Sequence, residues 1–250
     1  MIKLKTPQEI AIMQEAGSKL RKVVADLLPL IKPGITTQYI NDQAELLIKK
    51  YGGETSFGKV RNYRWATCLP VNEQAVHTPP SERVLKDGDV LTVDIGLYYR
   101  EFHTDFATSF IVGDNEDKEA MKFLEVGKIT LTKALKQVKS GNHLGNISQV
   151  IQEEIEKNGY KILKELTGHG IGRDLHEDPF VLQYLDRPLE KTYKMRPGLV
   201  IAVEVIYSQS TENISFEKGS DWSIVSADGS LAACFEHTIA ITHKGPIIIT

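Results

Sequence analysis

The sequence predicts an α/β (α+β) fold made of two pseudo-symmetric halves, each a set of antiparallel strands backed by two helices. Three observations carry this. A pair of amphipathic helical segments near the N-terminus is repeated over residues 117–160. Asp87-Gly88-Asp89-Val90-Leu91-Thr92-Val93-Asp94 is matched by Pro197-Gly198-Leu199-Val200-Ile201-Ala202-Val203-Glu204, with Gly88 and Gly198 standing 110 residues apart, as do Asp94 and Glu204. Residues 90–110 alternate with period two and then turn back, the pattern of a half-buried hairpin.

In chain order, Thr6-Pro7-Gln8-Glu9 reads as an N-cap, a proline at the first helical position and a capping-box glutamate. The helix it opens is expected over residues 7–28, with Ile10, Met13, Leu20, Val24, Leu27 and Leu28 as its apolar stripe. Pro29 and Lys32-Pro33-Gly34 end it. A second helix over residues 37–51 turns Ile40, Ala44, Leu46 and Leu47 inward, and Gly52-Gly53 closes it. The strand that follows puts Leu91, Val93, Ile95 and Leu97 on one face and Thr92, Asp94 and Gly96 on the other. Residues 102–112 return with Asp105, and a turn near Tyr99-Arg100 sets Asp94 and Asp105 opposite each other. That turn lacks the Gly or Asn that short hairpins favour.

The second half repeats the plan. Glu15-Ala16-Gly17 matches Glu125-Val126-Gly127, Lys32-Pro33-Gly34 recurs as Lys139-Ser140-Gly141, and Lys50-Tyr51-Gly52 is echoed by Lys157-Asn158-Gly159. After the strand bearing Glu204, the polar residues 208–221 read as a surface excursion. Trp222-Ser223-Ile224-Val225 then runs into the turn Ser226-Ala227-Asp228-Gly229, and residues 231–242 return carrying Glu236. One domain over residues 1–250 is expected, with halves at about 1–115 and 116–250. A pseudo-twofold axis between them would bring Asp94, Asp105, Glu204 and Glu236 to one centre.

Several classes are excluded or disfavoured. The 41% hydrophobic and 25% charged residues are those of an ordinary globular protein. A net charge of −3 without long runs argues against nucleic acid or a membrane surface as partner. Cys68 and Cys234 form no CxxC, so neither a disulfide framework nor a zinc knuckle is indicated. The N-terminal stretch lacks an apolar signal region, and no apolar run is long enough to span a bilayer, so a cytoplasmic protein is expected.

Like charges facing each other on a half-buried sheet are destabilising unless a cation lies between them, and a divalent metal is the simplest such cation. The most specific stretch is Gly168-His169-Gly170-Ile171-Gly172-Arg173-Asp174-Leu175-His176-Glu177-Asp178-Pro179. Its three glycines in five residues let the backbone bend tightly, leaving His169 on a short arm and His176 on the far side of the bend. No GxGxxG or GxxxxGK pattern is present, which disfavours a nucleotide cradle. Two Asp, two Glu and one His suit a pair of divalent ions such as Mn, Fe(II), Co or Zn. Two such ions roughly 3.5–4 Å apart activate water and clamp the oxygens of a hydrolytic transition state. His77, taken alone, reads as a structural or surface histidine, and so do His103, His143, His237 and His243.

Asp94 with Asp105 eleven residues on, the GHGIGRDLHEDP stretch, Glu204 and Phe235-Glu236-His237-Thr238 together resemble a type I methionine aminopeptidase over nearly the whole chain. The resemblance implies the pita-bread fold and removal of the initiator methionine. It implies that Asp94, Asp105, His169, Glu204 and Glu236 hold two divalent ions, with Asp105 and Glu236 bridging them. It further implies that His77 and His176 contact substrate and stabilise the intermediate, that Glu204 moves the proton, and that Tyr63, Cys68 and Trp222 line the methionine side-chain pocket. The implied partners are nascent polypeptide N-termini, with the ribosome as a place of encounter, and a monomer is expected. Three departures from the usual pattern bear on substrate preference: Val205 after Glu204 in place of Pro, Leu175 before His176 in place of an aromatic, and Thr78-Pro79-Pro80 after His77 in place of Gly-Ile-Pro. The rival readings are an Xaa-Pro aminopeptidase or prolidase, which shares the fold but usually carries an extra N-terminal domain, and a non-catalytic binding protein on the same scaffold.

Overall fold

The computed structural model describes residues 2–250. Helix α1 (Pro7–Leu27) starts as expected: the Thr6 side chain accepts from the Glu9 N–H, and the Glu9 carboxylate accepts from the Thr6 N–H. It ends in a 3-10 turn, Leu28–Leu30, that includes Pro29. Its buried stripe runs through Val23; Val24, expected inward, is only half-buried. Helix α2 (Thr37–Lys50) buries Ile40, Asn41, Ala44 and Ile48, whereas Leu46 is 62% exposed. The helical stripe that passes through Ile40 and Ala44 continues at Ile48, and Leu46 falls outside it. Asn41 takes an inward place because its side-chain oxygen accepts from the Ala66 N–H and the Thr67 hydroxyl.

The second helix pair is α3 (Lys118–Leu135) and α4 (Leu144–Lys157). The duplication extends to hydrogen bonds. Gly34 and Gly141, at φ of 93° and 94°, donate their N–H to the Leu85 and Met195 carbonyls, so each half closes its helix pair against the approach to its acid-bearing strand in the same way.

The first-half strands are β1 (Glu54–Thr55), β2 (Thr67–Cys68), β3 (Gln74–Val76), β4 (Val90–Tyr99) and β5 (Phe102–Ile111). The second half supplies β6 (Lys161–Ile162), β7 (Gly168–Gly170), β8 (Glu177–Val181), β9 (Val200–Ser208), β10 (Ile214–Phe216), β11 (Ile224–Ser226), β12 (Ala232–Thr242) and β13 (Gly245–Ile248). The main sheet runs β1-β4-β5-β12-β9-β7-β8, with β2 on β4, β6 on β9 and β13 on β12. The halves join where β5 meets β12, through the pairs Glu236↔Ala107 and His237↔Phe106.

One register differs from expectation. The β4–β5 hairpin turns at Arg100 and Glu101, both in the left-handed region at φ of 47° and 70°, so its centre lies one residue later. Asp94 therefore pairs with Ala107 and Asp105 with Gly96. The two acids still share a face, but diagonally rather than opposed. The excursion after β9 is also more ordered than a loop: β10 and β11 form a hairpin that adds β3 to make a second, three-stranded sheet.

The apolar faces are covered by the helices. Leu91, Val93, Ile95 and Leu97 pack with Leu20, Val23, Leu27, Ile40 and Ala44 of the first helix pair. Ile201, Val203, Val205, Tyr207 and Phe235 pack with Phe123, Leu131, Ile147 and Ile151 of the second. Fully burying each such apolar side chain contributes about 1.5–3 kcal/mol. Gly127 is required for this packing, because a Cβ there would lie 2.5 Å from the Phe235 ring and the Tyr207 hydroxyl.

Candidate metal centre

Five adjacent strands each present one candidate ligand to the same face: Asp94 on β4, Asp105 on β5, Glu236 on β12, Glu204 on β9 and His169 on β7. Register makes this unavoidable. Directly paired residues share a face, and Ala107 faces both Asp94 and Glu236. Glu236 pairs with Glu204, and His169 pairs with Ala202, two residues from Glu204 on the same side of β9. Ligating atoms of Asp105, His169 and Glu236 all lie within 4.8 Å of one another. His169 Nε2 stands 3.5 Å from Glu204 Oε1.

The chemistry of this cluster is that of a cation-binding donor set. Burial pushes the Asp105 carboxyl up to about 7. Asp94, Glu204 and Glu236 rise well above the usual carboxylate range, through burial first and then through the Asp105 charge beside them. No Lys or Arg is among the residues lining the cavity. Buried Asp94 Oδ1 and Glu236 Oε1 have no hydrogen-bond partner. Burial, and then His176, lower His169 to about 3, so its contact with Glu204 is that of a neutral ring rather than an ion pair. Its Nδ1 donates to the Gly170 carbonyl at 2.8 Å, which leaves the Nε2 lone pair for a ligand. Hard carboxylate oxygens, two of them orphaned, with one oriented imidazole fit divalent metal ions.

All the residues singled out from sequence line one cavity of about 110 Å³: His77, Asp94, Asp105, His169, His176, Glu204 and Glu236, together with Tyr63, Cys68 and Trp222. His77 follows β3 in the left-handed region at φ 59°, a strained position of the kind found at functional sites. The glycine bend does not carry His176 away. It brings the His176 ring to 4.4 Å from that of His169. His77 and His176 stand at the rim of the cavity with much of their surface in solvent. Desolvation of the part facing the cavity lowers both from the ordinary imidazole value, which already lies below 7, so both rings are neutral hydrogen-bonding groups at pH 7.

The other end of the cavity is apolar. The Tyr63 ring meets Trp222 edge-on at 5.1 Å, and the Tyr63 hydroxyl donates to the Thr67 carbonyl at 2.8 Å and lies 3.1 Å from Cys68 Sγ. Phe57, Val60 and Leu175 complete the wall. Phe57 and Val60 carry no motif and were not legible in the sequence. The buried pair Lys5–Glu177, 2.7 Å apart, was not legible either. It ties the N-terminal segment to the residue after His176. His237 points to the other face, against Phe106 at 5.3 Å, as expected. Among the described residues, no helix is long and apolar enough to cross a membrane.

The comparisons with known proteins agree with this geometry. Residues 11–243 match the model of metallopeptidase family M24. The chain is 40% identical over 250 residues to methionine aminopeptidase 1 of Bacillus subtilis, covering 100% of this chain and 99% of that protein. The crystal structure of methionine aminopeptidase from Thermotoga maritima superposes with a TM-score of 0.94 at 35% identity, covering 100% of this chain and 99% of that one. A prolidase from Pyrococcus furiosus, at TM-score 0.78 and 21% identity, covers 99% of this chain and 65% of its own, a likeness in the pita-bread fold alone. The chain belongs to metallopeptidase family M24 and falls among its methionine aminopeptidases.

Proposed function

We propose that this protein removes the N-terminal methionine from peptides and nascent proteins, acting as one catalytic domain over residues 1–250. The observation that supports it best is the face of four buried or half-buried carboxylates and one neutral imidazole on five adjacent strands, beside an apolar cavity. Two divalent ions, drawn from Mn, Fe(II), Co or Zn, would be held by Asp94, Asp105, His169, Glu204 and Glu236. Such ions lower the pKa of water and polarise a scissile carbonyl.

The remaining steps belong to side chains. Phe57, Val60, Tyr63, Cys68, Leu175 and Trp222 take the methionine side chain, whose polarisable thioether suits an aromatic wall. His77 and His176, held neutral, donate hydrogen bonds to the substrate amide and to the oxygen on which charge develops. Glu204, which faces the cavity beside His169, takes the proton of the attacking water and passes it to the leaving amine. Leu175 puts an aliphatic side chain in this wall where an aromatic is usual. We further place the protein in the cytoplasm as a monomer that meets its substrates at the ribosome. The test is a pair of substrates, Met-Ala-Ser and an Xaa-Pro dipeptide, offered to Mn-loaded protein. Met release is the expected result; cleavage of the Xaa-Pro substrate alone would move the protein to the prolidase side.

A further inference from the structure

Phe180 is 71% exposed, the most exposed of the large hydrophobic side chains among the described residues. Its place in the fold is specific. On the edge strand β8 it is the direct cross-strand partner of His169 on β7. Paired residues share a face, so the Phe180 ring stands on the same side of the sheet as the five candidate ligands, one strand further out. It lines the mouth of the site with His77, His176 and Glu204, a groove of about 350 Å³. It also lines a neighbouring groove of about 420 Å³ that continues past Tyr184, Lys191 and Tyr193. Leaving so large an apolar ring in water on the active face is informative where a scattered surface Leu is not.

We propose that Phe180 is the floor of a subsite for the third residue of the peptide substrate, one that favours an apolar or aromatic side chain; this rests on the aminopeptidase reading above. The spacing supports the third residue. Neighbouring strands lie about 4.8 Å apart, a distance that an extended chain of roughly 3.3 Å per residue covers in one to two residues. A peptide whose first two residues occupy the cavity and the His77–His176 pair therefore passes its third over Phe180. Pro179 has no N–H to offer an added strand, so recognition here rests on the ring rather than on backbone pairing. Leu166 and Val76 line the same mouth groove beside Phe180 and keep its wall apolar.

The experiment compares kcat/KM for Met-Ala-Phe-Ser and Met-Ala-Ser-Ser with Mn-loaded wild type, Phe180→Ala and Phe180→Trp. Wild type is expected to favour the Phe peptide about tenfold, entirely through KM, the ratio that 1.4 kcal/mol produces. F180A should bring the ratio close to one, and F180W should restore it. Since the ring is outside the core, the thermal midpoint of F180A should stay near that of wild type. A ratio that survives F180A, or a wild type that shows no preference, overturns the subsite. An F180A loss that is equal on both peptides and falls on kcat assigns Phe180 a structural role and overturns it as well. A wild type that releases Met from neither peptide overturns the aminopeptidase reading, and the subsite with it.

Discussion

Glu204 and Glu236 are direct cross-strand partners on β9 and β12, a half-buried and a buried acid side by side in the middle of the sheet. The equivalent acids of the first half, Asp94 and Asp105, sit diagonally because Asp105 pairs with Gly96. The two acid-bearing strand pairs, β4–β5 and β9–β12, therefore differ in register. The result is a staggered row of carboxylates across four neighbouring strands, ended by His169.

That row makes metal binding pH-dependent. In the metal-free protein the Asp105 carboxyl titrates at about 7 against an ordinary 3.8, so the folded form keeps a proton the unfolded chain has lost. Stability from the acids therefore falls as pH rises through that window. The histidines act in the opposite sense: His77, at about 4 against 6.5, costs stability as pH falls below 6.5. Metal needs the acids deprotonated, so the gain in thermal midpoint from saturating Mn should be larger at about pH 8 than at about pH 5.5. Thermal melts with and without Mn at both values measure it, and an equal gain would count against the carboxylates as ligands.

Glu204→Gln should lower kcat by about 10²–10⁴-fold, the range of general acid–base catalysis. His176→Ala and His77→Ala should each lower kcat by about 10²–10³-fold, as loss of an oxyanion donor does, while the stoichiometry of bound metal stays that of wild type. Steady-state kinetics with metal analysis of each variant separates the two roles. Loss of metal from H77A or H176A would move that histidine into the ligand set.

Lys5→Met should be strongly destabilising. Lys5 and Glu177 are almost completely buried together, and removing one partner strands the other charge, at about 3–5 kcal/mol. At about 2–4 °C per kcal/mol for a chain of this size, the midpoint should fall by roughly 10 °C. K5M/E177L should recover most of it. Recovery in the double variant, read in the same melts, distinguishes a stranded charge from lost packing.

Arg100→Asn should stabilise the hairpin. Arg100 and Glu101 both sit at positive φ in a two-residue turn that Asn-Gly satisfies best. A strained non-Gly residue there costs of order 1 kcal/mol, more than the exposed 3.7 Å contact of Arg100 with Glu15 returns. A rise of about 2 °C in the midpoint is expected; a fall would show that the turn is not strained.

The same turn shows where sequence reading stops. Period-two alternation placed Asp94 and Asp105 on one face correctly. The register depended on whether Arg100 and Glu101 would take left-handed backbone, which no residue preference in the stretch announces. Helical periodicity placed Ile40 and Ala44 inward, but Leu46 went outward because an apolar residue off the stripe has nothing to pack against. The likeness of Lys32-Pro33-Gly34 to Lys139-Ser140-Gly141 was legible, and the two turns do close alike, Gly34 and Gly141 each donating an N–H to a carbonyl ahead of an acid-bearing strand. Phe57, Val60 and the Lys5–Glu177 pair were not legible, because their partners lie far away in sequence and are fixed only when the sheets close.

The most direct measurement of the central claim is Met release from Met-Ala-Ser by metal-stripped protein, before and after adding Mn, Co, Fe(II) or Zn, with His169→Ala alongside. The expected result is turnover that returns with added metal in wild type and fails to return in H169A. Full turnover by the stripped protein, or full metal-dependent turnover by H169A, would contradict the account.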